Sequence, residues 1–228
     1  MSRVLIEGHP HVPYVPEPVS PEESLARGEA LYTELDRRRS VRQFRSDPVS
    51  RSCIEVAIRA ASTAPSGAHR QPWRFVAVSN PALKRRIREG AEAEERRNYE
   101  GGRMPPAWRE ALAPLGTDSD KSYLEVVPWI VVVFAEQYGL DADGGRLQNY
   151  YVKESVGIAC GLFVAALHRM GLSTLTHTPS PMRFLNEILN RPAREQPSIL
   201  FPIGYAAEDC LVPDLTRKPL EEVALFHE

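Results

Sequence analysis

The chain has 228 residues, enough for one large domain with a full core. A formal net charge of -2 and an isoelectric point near 6.3 give no general pull toward nucleic acid or an anionic membrane surface. There is no run of about 18 apolar residues to span a membrane, the first residues are too short an apolar run for a signal peptide, and the three widely spaced cysteines form no C-x-x-C; the expectation is a cytoplasmic protein.

Residues 1–22 read as an extended arm, because the five prolines between Gly8 and Glu22 remove backbone donors and hold the chain near polyproline conformation. His9 and His11 alone make a poor metal site. An arm that packs on a partner subunit is the better use. Residues 23–228 read as a single domain. Ser20-Pro21-Glu22-Glu23 carries a helix cap, a proline at the first position and acids in the first turn, and predicts a helix to about Arg37.

Arg37, Arg38, Arg39 and Arg42 surround Ser40 and Val41. Four guanidinium groups so close repel one another unless an anion sits among them or they fan into solvent, and their forked geometry suits phosphate. A helix over 50–62 is predicted, with Ile54, Ala57, Ile58 and Ala61 on one face. The loop that follows carries Pro65, Ser66, Gly67 and Ala68, small residues that let backbone approach a ligand closely; an ordinary helix-to-strand loop reads the same way. Arg74–Val78 is a predicted strand, and Asn80-Pro81 starts the next helix.

That helix carries Glu95 and Tyr99, four residues apart and so on one face. Gly101-Gly102 ends it, and residues 90–122 read as a mobile lid that includes Lys121. A carboxylate for an ammonium, with a lysine and a phenol for a carboxylate, suits the backbone end of a free amino acid. A solvated, mixed-charge helix face would look the same locally. Pro128–Ala135 is a predicted central strand, apolar on both faces. Residues 149–171 form the longest predicted helix, apolar nearly all round, and therefore central or shared with another subunit. Cys53 and Cys160 fall in apolar helical patterns and read as buried thiols. Ser173–Pro179 predicts a short strand, Pro181–Leu189 a helix, Ser198–Tyr205 a strand, and Val212–Pro219 an extended tail. Strands and helices mix without clean βαβ alternation, so the class is α+β, with a central mixed sheet flanked by helices. Neither G-x-G-x-x-G nor a Walker A run is present.

Arg38–Arg42, Ala64–Ala68, Thr176–Pro179 and Arg217-Lys218-Pro219 occur in this order. Together they resemble the flavin site of the nitroreductase superfamily. With Glu95, Tyr99 and Lys121, the chain is similar within it to the iodotyrosine deiodinases, from about residue 10 to the end and without the membrane anchor of the animal members. The resemblance implies a nitroreductase-like fold and a domain-swapped homodimer with FMN at the interface, each site drawing on both chains. It implies that Arg38, Arg39, Ser40, Val41, Arg42, Pro65, Ser66, Gly67, Thr176, His177, Thr178 and Arg217 hold the cofactor, with Thr178 directing its hydroxyl to the flavin as the catalytic group. Ala68, Glu95, Tyr99 and Lys121 would bind a halotyrosine, which is reduced to tyrosine and halide. The electrons would come from NAD(P)H, directly or through a reductase. His177 departs from the threonine of the animal enzymes.

Other readings stay open on sequence. A generic NAD(P)H-dependent nitro or quinone reductase would not need Glu95, Tyr99 and Lys121 as a set. A non-catalytic flavin-binding protein would use the arginines alone. Cysteine-based dehalogenation ranks last, since no base adjoins Cys53, Cys160 or Cys210.

Overall fold

The computed structural model describes residues 3–228, in two compact units divided after Arg38. The division places the first helix with the arm rather than with the domain expected from residue 23 onward. In the first unit the arm opens as a hairpin, β1 (Val4–Ile6) paired antiparallel with β2 (His9–His11), where a wholly extended arm was expected. Helix α1 (Pro21–Asp36) starts as its sequence dictates: the Ser20 hydroxyl accepts from the Glu23 N–H at 3.2 Å, with Pro21 in the first turn. None of its residues is buried, and Leu25, Leu31 and Tyr32 are exposed.

The second unit is built on a four-stranded sheet in the order β3-β4-β8-β7, from β3 (Trp73–Val78), β4 (Trp129–Glu136), β7 (Ser173–Thr174) and β8 (Glu195–Gly204). Its strands pair antiparallel, and the sheet is mixed only through a parallel bridge between Ser40 and Thr174. Strand β4 is the predicted central strand. Val131, Val133 and Ala135 point into one core, with α2 (Arg51–Ala61) and α6 (Val152–Arg169); Ile130, Val132 and Phe134 point into the other, with α3 (Pro81–Tyr99). Phe163 of α6 fills the first core between Phe75 and Phe201, with ring centroids 5.4 and 5.3 Å away.

Helix α6 begins later than its hydropathy suggested. Asn149 and Tyr150 precede it, and Tyr151 caps it at φ 48°. The thiol of Cys160 is buried there and pushed up to about 12, while Cys53 is only half-buried in α2. The predicted helix at 181–189 contracts to α7 (Phe184–Ile188), which contributes Leu185 to the second core. Between α3 and β4 lie α4 (Pro106–Leu112) and α5 (Tyr123–Val126). A small antiparallel hairpin, β5 (Tyr138–Leu140) with β6 (Arg146–Gln148), precedes α6, and α8 (Leu220–Val223) ends the chain. Among the described residues no helix is long and apolar enough to cross a membrane.

Lys84 fixes α5 on α3. Its buried ammonium donates to the carbonyls of Glu125 at 2.9 Å and Val127 at 2.6 Å, and burial lowers its pKa. Replacing it with methionine keeps the length but leaves both carbonyls unpaired. Lys84→Met is expected to lower stability by about 1–3 kcal/mol, measured by urea unfolding; an unchanged midpoint would mean that water replaces the ammonium without cost.

Candidate functional site

Three of the four residues assigned to substrate come together. Helix α3 is capped by Asn80, whose side chain accepts from the Leu83 N–H at 3.0 Å, and it runs unbroken to Tyr99. Its length is what carries Glu95 and Tyr99 past the core. Lys121 reaches them from the segment before α5 and is only 2 % exposed, although that segment reads from sequence as part of a mobile lid. Its ammonium donates to the Asp118 carbonyl. Burial lowers its pKa, while Glu95 and Asp118 oppose the shift and Arg42 reinforces it. Glu95 shows the complement: burial raises its pKa and Lys121 pulls it back. Tyr99 is raised chiefly by burial, against a hydrogen bond with Thr117.

Two residues assigned to the cofactor join this cluster. Arg42 is half-buried and acts electrostatically on Tyr99, Lys121, Tyr123 and His177, so it turns inward rather than fanning into solvent. The backbone of His177 is locked to Leu200 by two 2.9 Å bonds. Its ring is 6 % exposed, and Nε2 is buried without a hydrogen-bond partner. Burial, then Lys121 and Arg42, push its pKa down to about 3, so the ring is neutral. Thr176 and Thr178 on either side are exposed, as alternation along an extended segment requires.

The 39–45 segment is laid along the edge of the sheet. The Val41 N–H donates to Thr174 at 3.2 Å, which buries Val41 and leaves Ser40 exposed. Arg39 donates to the Pro213 carbonyl, and the Gln43 side chain accepts from the Leu211 N–H at 2.8 Å. The C-terminal tail is thereby held beside the arginine run, and Arg217 lies four residues beyond Pro213 on an exposed stretch. Arg38 belongs to the first unit.

The Pro65–Ala68 loop is tied to the head of α6. Gly67 bridges Tyr150, and its N–H donates to the Ser155 hydroxyl at 3.4 Å. A Cβ at Gly67 would sit 2.6 Å from the Tyr150 carbonyl oxygen, so only glycine fits. The Ser66 hydroxyl accepts from the Gln71 N–H at 2.9 Å. Ala68, at φ 49°, is held in the left-handed region.

Sequence reasoning missed Glu92. It is buried, and its carboxylate accepts from the Lys121 N–H at 3.0 Å. The signal was present, since Glu92, Glu95 and Tyr99 follow the i, i+3, i+7 spacing of one helix face. A cavity of about 450 Å³ lies elsewhere, lined by Asn186, Arg191 and Glu195 among others, and none of the expected site residues borders it.

The profile of the nitroreductase family matches residues 35–205. An iodotyrosine deiodinase of Haliscomenobacter hydrossis is 51 % identical over 95 % of this chain and 97 % of its own length. That of Danio rerio is 45 % identical over 96 % of this chain and 75 % of its own. Among solved structures, an oxidized iodotyrosine deiodinase bound to FMN and 3-iodo-L-tyrosine aligns with 86 % of this chain and 100 % of its own at a TM-score of 0.75 and 27 % identity.

The buried histidine gives a pH test. Between its ordinary value of 6.5 and its folded value of about 3, the unfolded chain binds a proton that the folded chain does not, so stability falls as pH drops through this window. Relative to His177→Thr, the parent is expected to lose about 1.4 kcal/mol per pH unit on going from pH about 6 to about 4, read from urea unfolding of both proteins. Parallel pH profiles would show a ring that is protonated freely in the fold.

Proposed function

We propose a function from one premise: the chain belongs to the nitroreductase family. Within that family we infer FMN-dependent reductive dehalogenation of halotyrosines, 3-iodotyrosine first, with bromo- and chlorotyrosine as further substrates. The observation that carries this reading is the convergence of half-buried Glu95 and Tyr99 with the buried Lys121 in one electrostatically linked cluster. A nitro or quinone reductase has no use for a matched carboxylate, phenol and ammonium. The likeness to iodotyrosine deiodinases, one of them solved with FMN and 3-iodo-L-tyrosine, supports the same substrate and cofactor.

The residues present fit FMN. Arg39, Ser40, Val41 and Arg42 run along the sheet edge beside Thr174, and forked guanidinium groups match a phosphate. Thr176 and Thr178 offer exposed hydroxyls, His177 an unpaired buried nitrogen, and Pro65, Ser66 and Gly67 a stretch with little side chain in the way. Arg217 joins them from the tail. When bound in its reduced form, FMN supplies the two electrons; replacing halogen by hydrogen at the ring carbon also takes one proton and releases halide.

The chain's own groups orient the substrate. Glu95 takes its ammonium, while Lys121 and the Tyr99 hydroxyl take its carboxylate. The Ala68 N–H meets the phenolate oxygen, its direction set by the left-handed backbone. Thr178 presents its hydroxyl to the flavin. The segment between the end of α3 and Lys121 closes over the ligand, which excludes water and holds the ring oriented. The electron donor is NAD(P)H, directly or through a reductase.

A homodimer completes this reading. Gly157, Ile158, Gly161 and Leu162 leave an apolar, nearly flat face of α6 exposed, and a Cβ at either glycine would meet nothing. A second copy would cover that face, with an interface of at least ~2,000 Å². Light scattering is expected to give twice the chain mass at micromolar concentration; a stable folded monomer would remove the dimer.

The function is tested by mixing photoreduced, FMN-loaded protein with 3-iodotyrosine without oxygen and assaying tyrosine and iodide. Both are expected in equal amounts. Glu95→Gln removes the charge that meets the ammonium; hydrogen bonds to charged groups contribute about 1.5–3 kcal/mol, so 3-iodotyrosine binding should weaken roughly 10- to 150-fold with FMN retained. Undiminished affinity in the variant, or no iodide from the parent, would return the chain to a general flavin reductase.

A further inference from the structure

Glu92 has no place in the reading above, yet it makes a direct link from α3 to the Lys121 backbone itself, where Tyr99 and Glu100 reach only Thr117 and Ser119. Glu92 is 9 % exposed, and its carboxylate accepts the backbone N–H of Lys121 at 3.0 Å. The carboxylate also faces Arg96 at 3.6 Å and, more distantly, Arg88 Nε at 4.0 Å, which pairs with Glu125 at 2.8 Å, each arginine one turn away on the same helix, and it has the Asp120 side chain beside it. Two carboxylates one turn apart therefore have different work. Glu92 faces Arg96 and is committed to a backbone donor. Glu95 faces the Lys121 ammonium and is free to exchange it for another cation.

The link matters because Lys121 is costly to keep where it is. An ammonium on a flexible four-carbon stem is strongly hydrated and follows water unless its backbone is fixed. Lys84 fixes the far end of α5 through Glu125 and Val127, four residues and more beyond Lys121. At Lys121 itself, the anchor to α3 is Glu92. Removing it leaves a buried N–H unpaired as well as unhooking the segment.

We propose that Glu92 is a positioning residue for substrate recognition, a latch that holds Lys121 over Glu95 so that the pair is ready for a zwitterion. This rests on the halotyrosine reading, and it adds to it a residue that touches neither substrate nor cofactor. The latch is a hydrogen bond to a backbone donor, so glutamine, whose amide oxygen still accepts, substitutes for glutamate. Alanine does not.

The test uses FMN-loaded parent, Glu92→Ala and Glu92→Gln. Flavin fluorescence is titrated with 3-iodotyrosine and with 2-iodophenol, which lacks the zwitterion. Glu92→Ala is expected to bind 3-iodotyrosine about 10-fold more weakly, a loss of about 1.4 kcal/mol, with 2-iodophenol binding and flavin content unchanged; Glu92→Gln stays near the parent. Independently of any ligand, amide hydrogen exchange across residues 118–127 is expected to rise about 10-fold in Glu92→Ala while the first half of α3 keeps its protection. Equal weakening toward both ligands, glutamine as damaging as alanine, or unaltered exchange at 118–127 would each overturn the latch. If the parent binds 3-iodotyrosine no better than 2-iodophenol, the substrate reading fails, and the exchange comparison alone still decides whether Glu92 holds Lys121.

Discussion

Strand β4 has no face toward water, and the second unit is arranged around that fact. From Ile130 to Phe134 every side chain is fully buried, with odd and even positions entering different cores. A two-sided apolar strand must be covered twice. Helices α2 and α6 cover one side, and α3, α5 and α7 the other. The antiparallel neighbours β3 and β8 satisfy its backbone, so the strand is fixed in register as well as buried. Whatever stands on the second layer is held against a rigid floor.

Helix α3 uses that floor for only part of its length. Ile87 and Ala91 pack into the second core. From Glu92 onward the side chains that matter are Glu92, Glu95 and Tyr99, and the partner changes from apolar side chains to a buried lysine. The apolar half holds the helix in place, and the polar half inherits that placement. Lys121 could not be buried at such a depth against a helix that moved, because its ammonium depends on Asp118 and Glu95 staying where they are. Site rigidity thus comes from core packing, a turn or two away from the chemistry.

Much of this was legible in the sequence. The caps at Ser20 and Asn80 state their helix starts outright, since a short polar side chain before a helical pattern has a donor to satisfy. The unbroken Ile130–Ala135 run could only be a covered strand. Helix α6 starts at Val152 rather than at residue 149 because the turn at Tyr151 depends on a tertiary contact, the approach of Tyr150 to Gly67, which no local pattern shows. The predicted 181–189 helix shrank for a related reason: its apolar residues are used by the core without needing helical spacing. In the site, Glu95 and Tyr99 declare themselves by local spacing. Lys121 does not, because its burial is decided by a helix more than twenty residues earlier, and composition made its segment look solvated. Glu92 shares a helix face with Glu95 and Tyr99, but its role as an acceptor shows only in the position of the Lys121 N–H.

The Pro65–Gln71 loop adds a constraint of a different kind. Ala68, His69 and Gln71 all lie at positive φ, near 50°. For residues with a Cβ such backbone costs of order 1–3 kcal/mol each and survives only where the surroundings over-determine it. The surroundings do so here. Gly67 is pressed against Tyr150 too closely for any side chain, Ser66 holds the Gln71 N–H, and the Ser155 hydroxyl faces the Gly67 N–H while itself donating to Tyr151 at 2.6 Å. An ordinary connection between α2 and β3 would relax into a conformation free of this cost. That it does not fixes the backbone direction of the loop, the Ala68 N–H included. The loop takes that direction from the head of α6, and the exposed apolar face of α6 begins only one turn further along, at Gly157 and Ile158. A second copy seated on that face would therefore bear on the same helix that sets the loop, and pairing of chains and shaping of the site would be one event.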